Sequence, residues 1–204
     1  MKRFSEYIKE ETKTGSLTIF DIDDTLFHTT AQIAVMKDGK VIRKLTNNEF
    51  NNYTLKAGED FDFSEFRDAH KFYHESKPIQ RMLAKAKAIL ANSVKNPNSK
   101  VVIITARANF DDKDKFLATF RKYGFDIDKV RVERAGNIEG EIIPAFKKAI
   151  IIRNYLNTKQ YSKVRLFDDS MSNLKEFLRL KTEFEEVTFE AFFANPDGSI
   201  RTIK

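Results

Sequence analysis

Residues 17–25 read LTIFDIDDT: Leu17, Thr18, Ile19 and Phe20 form a largely apolar run, and Asp21, Asp23, Asp24 and Thr25 follow it with three carboxylates and a hydroxyl. A short apolar run is the pattern of a strand buried on both faces of a parallel sheet. The abrupt acidic end belongs at the rim of such a sheet, because an uncompensated carboxylate in the core is costly. Four further runs resemble it: Val101–Thr105 (VVIIT), Lys129–Glu133 (KVRVE), Val164–Asp168 (VRLFD) and Val187–Phe193 (VTFEAFF). Between them lie segments with helical spacing of apolar residues, at Pro78–Ser93, Lys113–Tyr123, Pro144–Leu156 and Ser172–Leu180. Strands alternating with helices predict an α/β fold: a three-layer, Rossmann-like arrangement with an open parallel sheet covered on both faces.

One segment departs from the alternation. Roughly fifty residues separate the first strand from the Pro78 helix, far more than an ordinary connection. Within it, Ala31–Leu45 (AQIAVMKDGKVIRKL) predicts a hairpin turning at Asp38-Gly39. NNEFNNY (47–53) and DFSEFRDAHKFYHE (62–75) predict short helices. The expected organisation is a core of residues 1–29 and 79–204, with a small cap module, residues 30–78, inserted after the first strand.

Composition narrows the chemistry. The 204 residues are 41% hydrophobic and 32% charged, an ordinary globular balance. The absence of cysteine excludes disulfides, thiol catalysis and thiolate zinc sites. Nineteen phenylalanines and no tryptophan are read as core filling, with no chemistry attached. The net charge of +6 is uneven: Lys77–Arg134 carries 14 Lys/Arg against 6 Asp/Glu, which suits a phosphate-rich partner or simply solvated helix faces. Met1–Gly15 has no apolar run of signal-peptide kind, and no stretch has the length of a membrane span. The expectation is a soluble, cytoplasmic protein without a membrane partner.

In an open parallel sheet, ligands bind beyond the carboxyl ends of the strands. The polar residues there are Asp21, Asp23 and Thr25 after the first run, Thr105 and then Arg107 after the second, and Asp168 and Asp169 after the fourth. A basic helix start, Phe146-Lys147-Lys148, precedes the fourth run. Carboxylates, hydroxyls and an ammonium at one place suit a hard divalent cation, Mg2+, and a phosphoryl group. Asp21 at the strand tip can attack phosphorus and also bind the metal. Asp23 can protonate the leaving oxygen, activate water and contribute to the cation's ligands. Asp168 and Asp169 would anchor the cation, and a lysine would balance the nucleophile's charge. Thr105 would hold phosphoryl oxygens, and Thr25 and Arg107 are expected at the substrate. Lys148 is followed at three, four, seven and eight positions by Ile151, Ile152, Tyr155 and Leu156, whereas Lys147 directly follows Phe146; both remain candidates. His70 and His74, four apart on a helix, lack an apparent third ligand and are read as surface residues.

FDIDDTL (20–26) resembles the first motif of the haloacid-dehalogenase superfamily, DxDx[TV]. VVIITAR (101–107) resembles its second motif, the lysine of FKKAIIIRNYL (146–156) its third, and LFDDSMSNL (166–174) its fourth in DDxxxN form. The four occur in the family's order between Leu17 and Leu174. The resemblance implies a magnesium-dependent phosphatase acting through an aspartyl-phosphate intermediate, and it adds Asn173 beside the metal ligands and the substrate. Asp23 favours phosphatases over the superfamily's dehalogenases. The run TAR…RKYG…RVERAGN is similar to the 3′-phosphatase half of phage-type polynucleotide kinases, and the overall pattern is similar to phage-encoded phosphatases of the superfamily, whose setting would be the host cytoplasm. No GxxxxGK[ST] loop accompanies it, so no kinase half is expected. The expected substrate is a nucleotide or a nucleic-acid phosphate end, with sugar or other metabolite phosphates as the rival. From another class, a phosphoacceptor signalling domain or a nucleic-acid-binding protein with a vestigial site is the alternative.

Overall fold

The computed structural model describes residues 15–50, 52–140 and 143–204. Residues 1–14, where no signal peptide is expected, lie outside them. In chain order the elements are β1 (Gly15–Phe20), β2 (Phe27–His28), β3 (Ile33–Lys37), β4 (Lys40–Leu45), α1 (Asn47–Phe50), β5 (Glu59–Asp62), α2 (Ala69–Glu75) and β6 (Lys77–Pro78). They continue with α3 (Gln80–Ser93), β7 (Lys100–Thr105), α4 (Lys113–Lys122), β8 (Arg131–Arg134), α5 (Pro144–Leu156), β9 (Tyr161–Asp168), α6 (Met171–Arg179), β10 (Thr188–Ala194) and β11 (Ile200–Ile203).

The main sheet has six strands in the order β11-β10-β9-β1-β7-β8. All neighbouring pairs are parallel except β10 and β11, which form an antiparallel edge. Because side chains alternate along a strand, β1 feeds two cores at once. Leu17 and Ile19 join Val102, Ile104, Val164 and Leu166 beneath α5 and α6, where Ala149, Ile152, Leu174 and Phe177 pack. Phe20 faces the other way, with Val101, Ile103 and Phe167, against Met82 and Leu83 of α3 and Phe116 and Phe120 of α4. Phe20, Phe167 and Phe192 stack across three adjacent strands at 4.7 Å between ring centroids. This is a mixed α/β protein with a mostly parallel central sheet flanked by helices, as the alternation predicts.

The connection after β1 folds as a second, smaller sheet. β3 and β4 form the expected hairpin, turning at Asp38 (φ 49°) and Gly39 (φ 73°), where two successive left-handed residues match the twist of the flanking strands. The strand β5 is a departure: its acidic sequence EDFD carries no strand signal, yet it pairs with the free edge of β3 and gives the order β4-β3-β5. Asp62 therefore ends a strand, and the expected second helix is reduced to a 3-10 turn at Ser64–Phe66 followed by α2. Ile33, Val35, Leu45 and Phe66 make this sheet's own cluster. Ala69 and Phe72 of α2 belong instead to the main core.

Smaller corrections concern boundaries. Pro78 lies in β6, opposite Phe27 of β2, and α3 starts only at Gln80. A proline cannot donate to a ladder, so it suits a two-residue edge pair; Ile79 then donates its amide to the Leu26 carbonyl at 2.9 Å. Lys129 belongs to the 3-10 turn Ile127–Lys129, and β8 begins at Arg131. No helix among the described residues is long and apolar enough to cross a membrane.

Candidate functional site

The register of the parallel strands assembles the site. Phe20 of β1 lies opposite Phe167 of β9, and the Asp21 amide donates to the Phe167 carbonyl at 3.0 Å. Asp21 and Asp168, each the next residue along, therefore leave neighbouring strands side by side. Beyond Asp21 the chain turns sharply: the Ile22 carbonyl accepts the amides of Thr25, Leu26 and Phe27. Asp24 takes the left-handed conformation at φ 53°, which aspartate tolerates better than most residues. Asn47 of α1 donates to the Asp24 carboxylate at 3.2 Å, joining the small sheet's side of the molecule to this turn.

Lys148, in the second turn of α5, settles between the two carboxylates. Its Nζ donates to Asp21 Oδ1 at 2.7 Å and to Asp168 Oδ2 at 2.8 Å, with the side chain 3% exposed. Burial alone would lower the lysine pKa, but Asp168 and Asp21 together raise it, so the ammonium stays charged. Lys147 lies elsewhere along the same cleft, its ammonium donating to the Ile138 carbonyl at 2.6 Å. Of the two candidate lysines, only Lys148 is brought to Asp21.

Asp168 is fully buried, and its carboxylate is satisfied from three sides. Asn173 Nδ2 donates to both of its oxygens, at 2.9 and 3.0 Å, and the Ser170 amide donates to Oδ1 at 2.9 Å. Asp169 points into the cleft, and Thr25 holds it twice: the Asp169 amide donates to Thr25 Oγ1 at 3.1 Å, and that hydroxyl donates to Asp169 Oδ1 at 3.3 Å. Carboxylate oxygens of Asp21, Asp168 and Asp169 lie within 4.8 Å of one another. With a single ammonium against three carboxylates, charge is short. Burial, only partly offset by Lys148, and the neighbouring Asp168 push Asp21 up to about 7. Burial with Asp168 and Asp21 pushes Asp169 up to about 8. Closely placed carboxylate oxygens short of balancing charge are a donor set that a hard divalent cation would fit and hold ionised.

Asp23, expected among the metal ligands, is not part of that group. It lines the cleft, but both its oxygens are taken by Arg107, whose Nε and terminal nitrogen donate at 2.9 and 2.6 Å, and Thr29 adds a hydroxyl at 2.7 Å. Burial raises its pKa, but the guanidinium outweighs burial and holds Asp23 below the ordinary carboxylate range. Arg107, expected to reach a substrate phosphate, has a side chain only 1% exposed. Its remaining terminal nitrogen donates to the Phe66 carbonyl at 2.8 Å, and its guanidinium sits 4.7, 5.0 and 5.4 Å from the rings of Phe66, Phe72 and Phe110. Thr105 is fully buried at the end of β7, and its hydroxyl oxygen accepts the Arg107 amide at 3.1 Å. Gly136 closes the same loop from outside: its amide donates to the Arg107 carbonyl, and a Cβ there would lie 2.5 Å from the Ala106 carbonyl oxygen. In this arrangement Thr25, Thr105 and Arg107 hold other site residues; of the three, Arg107 lines the cleft, with its guanidinium engaged by Asp23 and the Phe66 carbonyl.

Asp21, Asp23, Lys148 and Asp169 share a cleft of about 880 Å³ between the sheet edge and the small sheet. Its other wall includes Phe50, Phe61, Phe63 and Phe66. The sequence reading assigns these rings no role; the signal available was their density, four phenylalanines within residues 50–66. His70 and His74 are exposed, as expected, with their rings 6.4 Å apart.

Fold and site together define a mostly parallel α/β protein with a carboxylate and ammonium cluster at the carboxyl edge of its sheet. No protein-family model matches the chain, and no curated protein matches it either.

Proposed function

We propose that this chain is a magnesium-dependent phosphomonoesterase of the haloacid-dehalogenase type, working through a phosphoaspartate on Asp21 and taking nucleotides or nucleic-acid phosphate ends. The observation that carries the reading is the Lys148 bridge. It places one buried ammonium 2.7 Å from Asp21 and 2.8 Å from Asp168, with Asp169 alongside. A nucleophilic carboxylate meeting a phosphate dianion needs neutralising charge fixed in advance, and a buried ammonium meets that need without reorganising. The four motifs and their order are the second support.

Asp21, Asp169 and Asp168 would hold the magnesium ion, which when bound supplies positive charge against the phosphoryl oxygens and keeps the carboxylates ionised. Asp21 attacks phosphorus through one oxygen, forming the acyl phosphate bond as the ester P–O bond breaks. The leaving alkoxide takes a proton from Asp23; the incoming phosphate, a like charge, favours the protonated acid against the pull of Arg107. Asp23, now a carboxylate oriented by Arg107 and Thr29, takes a proton from the water that attacks the phosphoaspartate. Inorganic phosphate leaves and Asp21 is restored. The small sheet of β3, β4 and β5 with Phe50 and Phe66 acts as the cap, lending the cleft its aromatic wall.

The test is hydrolysis of p-nitrophenyl phosphate with magnesium by the wild type and by Asp21→Asn. Turnover that is lost in the variant is the expected result. Undiminished turnover in Asp21→Asn refutes the mechanism. Uptake of a single phosphoryl group per chain without turnover would mark a phosphoacceptor domain instead.

A further inference from the structure

We infer that the aromatic wall of the cleft is a subsite for a flat ring, so that the ester taken is a small, ring-bearing phosphate monoester of the nucleoside monophosphate kind. The inference rests on the phosphomonoesterase reading for the phosphate end and on the walls for the rest. At about 880 Å³ the cleft lies in the upper part of the range, roughly 300–1,000 Å³, that encloses whole organic ligands, and far exceeds a phosphate with a few carbons.

The two sides of this space differ in chemistry. Asp21, Asp169 and Lys148 bring charge, whereas Phe50, Phe61 and Phe63 bring hydrocarbon. Phe63 is 44% exposed and Ile143 is 54% exposed, and both face into this cleft. Large side chains left exposed around one concavity are the mark of a binding surface rather than of a core. Phe63 is nonetheless held in place: Phe50 meets it nearly edge-on at 5.5 Å and 85°, and Phe61 meets Phe50 at 4.9 Å and 71°. An oriented, uncovered ring next to a phosphate-accepting floor suits a ligand with a π face some distance from its phosphate. A sugar phosphate without an aromatic ring would lay its hydroxyls on hydrocarbon with few partners to replace water.

The experiment compares kcat/KM for nucleoside 5′- and 3′-monophosphates, 5′- and 3′-phosphorylated oligonucleotides, phenyl phosphate and ribose 5-phosphate, in the wild type, Phe63→Ala, Phe63→Leu and Phe63→Trp. Using each enzyme's ratio of aromatic to non-aromatic ester cancels any general loss of activity. Phe63→Ala should lower the ratio for nucleoside monophosphates about tenfold, the scale of one base stacked on an aromatic side chain; Phe63→Leu should lower it similarly, and Phe63→Trp should preserve it. An unchanged ratio in Phe63→Ala overturns the subsite, and an unchanged ratio in Phe63→Leu overturns stacking. A Phe63 dependence found with phenyl phosphate alone overturns the nucleoside assignment. Preference for a 5′- or 3′-phosphorylated oligonucleotide over the free nucleotide overturns the choice of a small ester. Should the wild type hydrolyse none of these esters, the phosphatase reading falls separately. Calorimetric binding of a nucleoside monophosphate against ribose 5-phosphate then decides the subsite: a preference lost in Phe63→Ala supports it, and equal binding overturns it.

Discussion

Three carboxylates cluster with one ammonium at the cleft, so stripping divalent cations with a chelator should make the fold's stability fall as pH rises from 6 to 8. Without a cation, Asp21 is pushed up to about 7 and Asp169 to about 8, against 3.8 in an unfolded chain. Between those limits the native state holds protons that the unfolded state has released, so stability declines with increasing pH. Over these two pH units the native state releases protons held by this pair, and the combined loss is on the order of 2–4 kcal/mol. Saturating magnesium takes the protons' place and removes most of that slope, so its stabilising effect should be much larger at pH 8 than at pH 6. The chain has no tryptophan, so urea unfolding is best followed by circular dichroism. Asp169→Asn is the control, since it deletes one titrating group and one cation ligand together and should shrink both the pH slope and the magnesium effect. Chelated stability that rises from pH 6 to 8, or a magnesium effect equal at both, would refute the reasoning.

The two lysines separate in one comparison. Lys148→Met breaks a buried bridge and should cost about 3–5 kcal/mol by urea unfolding and abolish turnover, whereas Lys147→Met loses one hydrogen bond to a carbonyl, about 1 kcal/mol, and keeps most activity; the reverse pattern would reassign the site. Arg107→Lys keeps a charge but not the two-pronged grip on Asp23. It should slow hydrolysis of alkyl phosphates, which need a general acid, at least ~10-fold more than that of p-nitrophenyl phosphate, which scarcely does. Equal losses on both substrates would mean that Arg107 does not act through Asp23.

The parallel core was legible because strands such as Val101–Thr105 are apolar on both faces and cannot be mistaken for surface. Chain order alone then put Asp21, Asp168 and Asp169 at one rim. What stayed hidden depends on partners distant in sequence. EDFD becomes a strand only because β3 offers it an edge. Arg107 is drawn inward by Asp23, by the Phe66 carbonyl and by three rings, none of which a linear reading places beside it. The choice between Lys147 and Lys148 turned on helix phase: the apolar residues after Lys148 mark the inner face of α5, and the structure puts its ammonium there. The phenylalanines of the small sheet were countable from the start, but core filling and cleft lining draw on the same residue type.

The two-residue pair β2–β6 sets Phe27 opposite Pro78 and His28 opposite Lys77, so the chain leaves and re-enters the core through adjacent positions. An excursion with paired ends is a cassette, since exchanging its contents leaves the attachment points unmoved and changes loop length at little entropic cost. The natural cut, however, falls inside it. Phe72 packs edge-on against Phe27 and beside Phe116 and Phe120, so α2 belongs with the main core, while Ile33, Val35 and Leu45 of β3 and β4 join a separate cluster with Phe66. Exchanging residues between Ala31 and Phe63 would change the cleft's aromatic wall and also the seat of Phe66, whose carbonyl holds Arg107, so the two ends of the cleft are not independent of each other.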